Sequence, residues 1–328
     1  MRPSETACEI PDAPGRSAAA ARPVRVVALV NPAAGAAERQ PDRFRDALLS
    51  AFEAAGVAAE VELVPGDRLL EAAERAAGKA RRAEIDGIVV GGGDGSIHTV
   101  AGVLAGTGIP LGVLPLGTLN HFAKDLGIPA DVAGAAAVIA QGHAKPVDVA
   151  EVNGLVFVNN SSIGIYPYMV LDRERRRRMH GRAKWVAMAL AAVRTLQFFP
   201  LRRLEIRIAG SAEPCRTPCV FVGSNEYGLG PRSFGRRERL DRGELWLCVA
   251  RPQSRLSLLW LAFRSVIGLL HQSRDLQTFR TGSAEIVSHR KRLLVAVDGE
   301  VAVLRPPLRY RTRPGALRVF VPVETRPS

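Results

Sequence analysis

Four short apolar runs set the terms for any fold this chain can adopt: "VRVVALV" at 24–30, "VAAEVELV" at 57–64, "IDGIVV" at 85–90 and "IPLGVLPLG" at 109–117. Each run stops at a turn signal, and alanine-rich stretches with helical spacing separate them near residues 42–55, 67–83 and 96–105. Strands that read as continuous apolar runs are buried on both faces, and their alternation with helices makes the sheet parallel with helices covering it. Ligands then bind at the carboxyl ends of the strands. The residues just after each run are therefore the place to look for chemistry.

Beyond Val147 the texture changes. "RRLEIRIAG" puts Leu204, Ile206 and Ile208 on one face and Arg203, Glu205 and Arg207 on the other, the alternation of a half-buried strand. "RLLVAVDGEVAVL" reads as two strands about an Asp298-Gly299 turn, and "LRYRTRPGALRVFV" as two more about Pro314 and Gly315. Helical insertions interrupt this half near 173–198 and 255–271. The sequence thus predicts an α/β N-terminal domain with a Rossmann-like parallel sheet over 23–146. A mainly antiparallel β C-terminal domain with helical insertions follows over 147–306, and the final strands, 307–322, are able to return to the first domain. Residues 1–22, rich in Ala, Pro and charge, read as a disordered leader.

The third apolar run ends in "GGGDGS", residues 91–96. A strand that closes in glycines and passes into a helix aims several backbone N–H groups and a helix N-terminus at one point, which is an anion site, most often for phosphate. Glycine lets the ligand approach the backbone closely, and three adjacent glycines cost too much chain entropy for a mere turn. A Walker loop needs a lysine that is not there, and Ser96 and His98 occupy the positions where a dinucleotide loop would place its third glycine. Asp94 would repel a bare phosphate. It makes sense where a divalent cation or a nucleotide's own donors stand between the two.

The formal charge of +13 points toward polyanions, but five lysines among 45 basic residues leave 40 arginines, a bias that also fits a GC-rich coding sequence. No aromatic-basic stacking motif accompanies the charge, so nucleic acid is not an expected partner. Cys8, Cys215, Cys219 and Cys248 lack ligand-type spacing and read as reduced thiols in a cytosolic protein. No uncharged apolar stretch reaches the roughly 20 residues of a membrane span.

"GGGDGSIHTVAG", with "VNPAAG" at 30–35, "PLGTLNHFAKDLGIP" at 115–129 and "VDGE" at 297–300, resembles the diacylglycerol kinase catalytic family, and more closely its soluble bacterial lipid kinases, relatives of the sphingosine kinases. The four motifs occur in the family's order across roughly 24–322. The resemblance implies that Asn31, Pro32 and Gly35 lie near ATP. It likewise implies that Gly92, Gly93, Asp94, Gly95 and Ser96 form the ATP loop, and that Gly117 and Thr118 line the same pocket. It implies that Asp298 and Glu300 stand at the phosphoryl-transfer centre with Glu300 as proton acceptor, that Asp94 helps to organise Mg-ATP, and that Mg²⁺ accompanies the nucleotide. Asp298-Gly299 is also a good type I′ hairpin turn, and Thr118 and Asn120 could cap the segment after them.

The chain departs from the family pattern at four places. Ser96 stands where Thr is common, His98 where Asn is common and His121 where Asp is common. The loop "ERLDRGELWL" resembles the family's cation-associated loop, but only Asp241 remains as a metal ligand because Arg242 replaces the second acid, and a guanidinium cannot ligate Mg²⁺.

The implied activity is transfer of the γ-phosphate of ATP to a hydroxyl of a diacylglycerol-like lipid. Phosphorylation of a soluble substrate such as NAD, or a noncatalytic lipid- or nucleotide-binding regulator, are the alternatives. The basic run Arg175–Arg178, followed by Trp185, Met188, Leu190, Leu196 and Phe198, suits an anionic membrane surface equally as well as a solvated run leading into a packed helix. "LSLLWLAFRSVIGLL" at 256–270 reads as buried packing. A cytoplasmic protein peripherally attached to the inner face of the cell membrane follows as the expectation, with a homodimer left open.

Overall fold

The computed structural model describes residues 22–33, 40–176, 202–230, 233, 235–251 and 275–323. The first part of the chain runs β1 (Arg25–Val30), α1 (Pro41–Ala54), β2 (Ala58–Leu63), α2 (Leu69–Arg81), β3 (Gly87–Gly92), α3 (Asp94–Leu104), β4 (Pro110–Pro115), α4 (His121–Asp125), α5 (Val132–Ala140) and β5 (Ala144–Val152). Strands β1 to β4 are parallel in the order β2-β1-β3-β4. The cause is visible in β1 and β3, in which nearly every residue is buried, so both faces need a covering layer. Alanine supplies part of that layer: Ala72, Ala73, Ala76 and Ala77 form the buried face of α2 and bring it close to its neighbours. Asp131 caps α5 by accepting from the Gly134 N–H at 2.7 Å, a contact worth about 1 kcal/mol.

The second part comprises β6 (Leu155–Phe157), β7 (Asn160–Gly164), α6 (Ile165–Arg176), β8 (Arg202–Ile208), β9 (Ser211–Thr217), β10 (Cys219–Ser224), β11 (Leu245–Ala250), β12 (Leu276–Thr281), β13 (Ser283–Ser288), β14 (Leu293–Val297), β15 (Glu300–Leu304) and β16 (Leu308–Phe320). Six of these strands form an antiparallel sheet, β12-β11-β10-β7-β14-β15. β16, β13, β8 and β9 extend the first sheet in the order β4-β16-β13-β8-β9, while β5 pairs with β16 and carries β6 on its other side. A second core, including Ile163, Val220, Leu247, Val295, Ile286 and Tyr310, fills the space between the two sheets.

The C-terminal strand corrects one expectation. Pro314 and Gly315 do not turn a hairpin; β16 runs 13 residues through them, parallel to β4 at Arg318 and Val319 and antiparallel to β5 for most of its length. A register shift between Arg313 and Leu317 takes up the irregularity. Buried Asp148 makes this possible, since its carboxylate accepts the Gly315 N–H at 2.8 Å and the Gly243 N–H at 2.6 Å. The Gly315 donor that the irregular stretch leaves without a strand partner is thereby satisfied, as burial requires, and the Gly243 N–H ties the loop before β11 to the same carboxylate. The helical insertions predicted at 173–198 and 255–271 lie outside the described residues apart from the end of α6.

One ion pair ties α4 to the antiparallel sheet. The Arg237 side chain, fully buried, donates to Asp125 Oδ2 at 2.8 Å, to the carbonyls of Val158 at 2.6 Å and Ser224 at 3.1 Å, and to Asn159 Oδ1 at 2.8 Å. Asp125 is itself only 3% exposed at its side chain. Arg237→Met should therefore lower unfolding free energy by about 3–5 kcal/mol, because it strands a buried carboxylate. Denaturant unfolding should show that adding Asp125→Leu recovers a large part of this loss; a single variant as stable as the parent would contradict the assignment.

Candidate active site

Three strand ends converge on the start of α3. After β1, the Asn31 N–H donates to the Gly91 carbonyl at 2.8 Å, and the Asn31 side chain closes its own turn by accepting from Ala33 N at 3.0 Å. After β3, Gly93 is extended and α3 opens at Asp94, two residues earlier than the expected start at Ser96. The earlier start follows from Gly91 and Gly92 remaining in the strand, so that one extended residue makes the whole turn. No side chain caps this helix, and the first N–H groups of a helix have no intrahelical acceptors. Buried Ser96 folds back instead, its Oγ lying 2.5 Å from where a Cβ on Gly92 would stand.

After β4, the loop at Gly117 crosses the glycine turn backbone to backbone. The Gly117 N–H donates to the Gly92 carbonyl at 3.1 Å, and a Cβ on Gly117 would collide with the Gly93 Cα. Asn120 holds this loop in a way the sequence did not suggest. It sits in the left-handed region (φ 50°) and does not cap α4; its amide donates to the carbonyls of Pro115 at 2.9 Å and Gly117 at 2.8 Å. Thr118 is exposed on the same loop, and Pro32 follows Asn31 in the first turn. Gly35 lies outside the described residues.

Opposite this cradle, the β14–β15 turn sends two carboxylates in opposite directions. Asp298 (φ 47°) and Gly299 (φ 88°) both take the positive φ that a type I′ turn requires. Asp298 points inward, its side chain fully buried, and accepts from the backbone N–H groups of Val158 (2.8 Å), Asn159 (2.8 Å) and Asn160 (3.0 Å). His98 Nδ1 lies 3.0 Å from the same carboxylate. Glu300 is exposed and reaches across to α3, where its Oε1 stands 2.9 Å from the position of a Cβ on Gly95. A carboxylate with four partners has little capacity to take a proton or a metal. The outward one is free to do either.

Two further observations bear on ligands. Asp94 Oδ1 and Asn120 Oδ1 are buried without a hydrogen-bond partner, the one at the start of α3 and the other in the loop after β4, and both border the cradle. An orphaned carboxylate oxygen at a helix N-terminus fits a cation that a nucleotide brings with it, since Mg²⁺ needs only one or two protein carboxylates beside phosphate and water. The position proposed for an accessory metal does not fit. Asp241 is half-exposed and bound by Arg239 at 2.9 and 3.1 Å, the guanidinium fork occupying both oxygens. Arg242 faces Glu226 at 3.5 Å. Among the described residues, no cluster of three His, Cys, Asp or Glu side chains is arranged to hold a metal ion.

His98 was marked in the sequence only as a departure from a pattern, and the structure places it inside the site. Burial alone would lower its proton affinity, but the hydrogen bond and charge of Asp298, together with the charge of Glu300, outweigh that and hold the imidazole above its ordinary pKa of 6.5. The signal that would have found it is its spacing: His98 follows Asp94 by one helical turn and so lies on the same face of α3.

Comparison with known proteins agrees with this geometry. Residues 25–152 match the family profile of the diacylglycerol kinase catalytic domain, and residues 169–321 that of the YegS C-terminal NAD kinase beta sandwich-like domain. A "Diacylglycerol kinase" of Mycobacterium tuberculosis is 31% identical over 275 residues, covering 80% of this chain and 84% of the relative. A "Probable lipid kinase YegS-like" of Pseudomonas aeruginosa is 41% identical over 245 residues, covering 72% and 76%. The crystal structure of a diacylglycerol kinase from Bacillus anthracis superposes with a TM-score of 0.64 at 25% identity, covering 91% of this chain and 97% of that one. A nucleotide-type cradle faced by a free carboxylate is the equipment of a kinase, and the similarities make it one. The chain belongs to the diacylglycerol kinase and YegS-like lipid kinase family.

The contact between Gly95 and Glu300 can be tested directly. Gly95→Ala puts a methyl group against the end of a flexible side chain, so the fold should persist while the Glu300 carboxylate is pushed aside. We expect turnover to fall by about tenfold or more, as for small misplacements of a reacting group, with an unchanged or slightly higher melting temperature because alanine favours helix. Steady-state kinetics and thermal unfolding check both, and normal turnover would show that Glu300 does not work from this position.

Proposed function

We propose that the protein transfers the γ-phosphate of ATP to a hydroxyl group of a diacylglycerol-like lipid. The observation that carries this reading is the placement of Glu300, an exposed carboxylate over the uncapped N-terminal turn of α3. Phosphates favour such a helix end. Glu300 accepts the proton of the lipid hydroxyl as that oxygen forms a bond to the γ-phosphorus; the bond from phosphorus to the bridging oxygen breaks, and its electron pair leaves with ADP. Asp94, with its unpartnered Oδ1, is the residue that would hold Mg²⁺ beside the phosphates. The ion, when bound, supplies positive charge against the charge that develops on the transferring group. Gly92, Gly93, Gly95 and Gly117 keep side chains away from the phosphates, and the Asn120 amide keeps the Gly117 loop in place.

Asp298 holds the base without being it. Its carboxylate is filled by three N–H groups and an imidazole, which supports Glu300 as the proton acceptor and Asp298 as the residue that shapes the turn. Glu300→Gln should cut turnover by roughly 10²- to 10⁴-fold with ATP binding little changed. The assay uses labelled ATP with a panel of lipids in mixed micelles and NAD as a soluble acceptor. A labelled lipid with the parent enzyme and none with the variant is the expected result. A labelled NAD product, or a folded Glu300→Gln enzyme with near-normal turnover, would overturn the reading.

A lipid acceptor requires the protein to visit a bilayer. No helix among the described residues is long and apolar enough to cross one, and contact from the surface of the inner leaflet is the form we propose. The basic run Arg175–Arg178 leads into the apolar segment that follows, and basic groups near an anionic surface contribute about 1 kcal/mol each. Replacing all four with glutamine should weaken binding to anionic vesicles while leaving ATP affinity intact. Sedimentation with neutral and anionic vesicles at two salt concentrations checks this, and salt-insensitive binding to both would count against it.

A further inference from the structure

His98 connects the two halves of the site. It projects from α3 one turn after Asp94, its side chain is 19% exposed, and its Nδ1 meets Asp298 Oδ2 at 3.0 Å. Among the described residues, this is the hydrogen bond that joins α3 to the turn 298–300. The rest of the Asp298 carboxylate is held from the other side, by the N–H groups of Val158, Asn159 and Asn160. Without the imidazole, the turn would be fixed to its own sheet and not to the helix whose N-terminus must face the same phosphate. Glu300 is two residues away on that turn, so a small rotation at Asp298 moves it relative to Gly95.

We propose that His98 is a positioning residue for phosphoryl transfer: through Asp298 it locks the turn that carries Glu300 onto the first turns of α3. The inference rests on Glu300 acting at the transfer centre. An ionised carboxylate only accepts hydrogen bonds, so Nδ1 must carry the proton in the neutral ring, and Nε2 is left as the site that gains one. Protonation therefore keeps the bond to Asp298 and adds a positive charge facing Glu300.

The ionisable groups that face the ring are Asp298 and Glu300 from the turn, with Asp94 one turn earlier on α3 itself. Among the described residues, the elements packed most extensively on α3 contribute none: the buried face of α2 is Leu69, Ala72, Ala73, Ala76 and Ala77, and β3, β4 and β6 carry no ionisable residue. Because both carboxylates raise the affinity of His98 for its proton above the ordinary 6.5, the stabilisation is complete below that value. It is lost as pH rises through the folded-state pKa.

The test compares His98→Leu, which has no donor, with His98→Asn, whose amide can donate to Asp298 from a similar position. His98→Leu should lower kcat by about 10- to 100-fold, as for a reacting group displaced by about 1 Å, with ATP affinity by direct binding within about threefold of the parent. His98→Asn should restore most of the loss. A second arm needs neither substrate nor activity: the His98 titration, followed by NMR and assigned by its absence in His98→Asn, should move to lower pH in Glu300→Gln. Glu300 is exposed, so that variant should fold whatever happens to His98→Leu. His98→Leu with parental kcat, His98→Asn as impaired as His98→Leu, or a His98 titration unmoved by Glu300→Gln would each overturn the proposal. A parent enzyme that labels no lipid would overturn the proposed function, and the NMR arm would still decide whether His98 and Glu300 sense each other.

Discussion

Moving a carboxylate out of water costs several kcal/mol unless its lone pairs are filled, and Asp298 fills them with three consecutive backbone N–H groups and an imidazole. The donors are consecutive because residues 158–160 pass around the carboxylate between β6 and β7. The return bond, Asp298 N–H to the Asn160 carbonyl at 2.8 Å, closes the arrangement from the backbone side. A rigid anion at this point fixes the β14–β15 turn, and the turn fixes where Glu300 emerges. The exposed acid is thus positioned by a buried acid whose lone pairs are already filled. Two carboxylates two residues apart divide the work because one faces the core and the other faces solvent.

The glycine turn obeys the complementary constraint. Its geometry comes from the absence of side chains where two loops cross, with Gly117 over Gly93 at backbone contact and Ser96 filling the space behind Gly92. What remains is a helix end with unpaired N–H groups bordered by Asp94 and Glu300. A phosphate alone would meet two carboxylates here, and that is why the proposed mechanism brings a cation in with the nucleotide. The chain carries a net charge of +13, but the glycine turn itself, residues 91–96, contains no lysine or arginine.

Most of this architecture was legible in the sequence because the strands and helices of the first half are fixed by local periodicity and by glycine. The Asp298-Gly299 hairpin was legible for the same reason: two positive-φ positions in a row leave few alternatives. The Pro314-Gly315 hairpin was misread because the partner that absorbs the irregularity, Asp148, lies more than 160 residues away in the chain. The placement of Asp298 and His98 was hidden on similar grounds. "DGE" shows two acids but not which faces inward, and a histidine two hundred residues from its partner gives no local sign of it. Asp241 illustrates the converse, a plausible ligand in sequence that a neighbouring Arg239 captures in space.

Residues 158–160 also connect the glycine turn and the Gly117 loop to each other. Val158 gives its N–H to Asp298 and its carbonyl to Arg237; Asn159 gives its N–H to Asp298 and its side-chain oxygen to Arg237. Arg237 in turn holds Asp125, at the end of α4, which continues the loop bearing Gly117 and Asn120. Asp298 holds His98, on the helix that continues the glycine turn. A single three-residue segment, placed between a buried anion and a buried cation, therefore sets the distance between the Gly93 turn, the Gly117 loop and Glu300. Backbone amides suit this task because they offer a donor and an acceptor at fixed separation, and a strand end in a paired sheet cannot shift one without the other. The precision of the candidate site is in this sense inherited from the antiparallel sheet, although the glycine turn and the Gly117 loop belong to the parallel one.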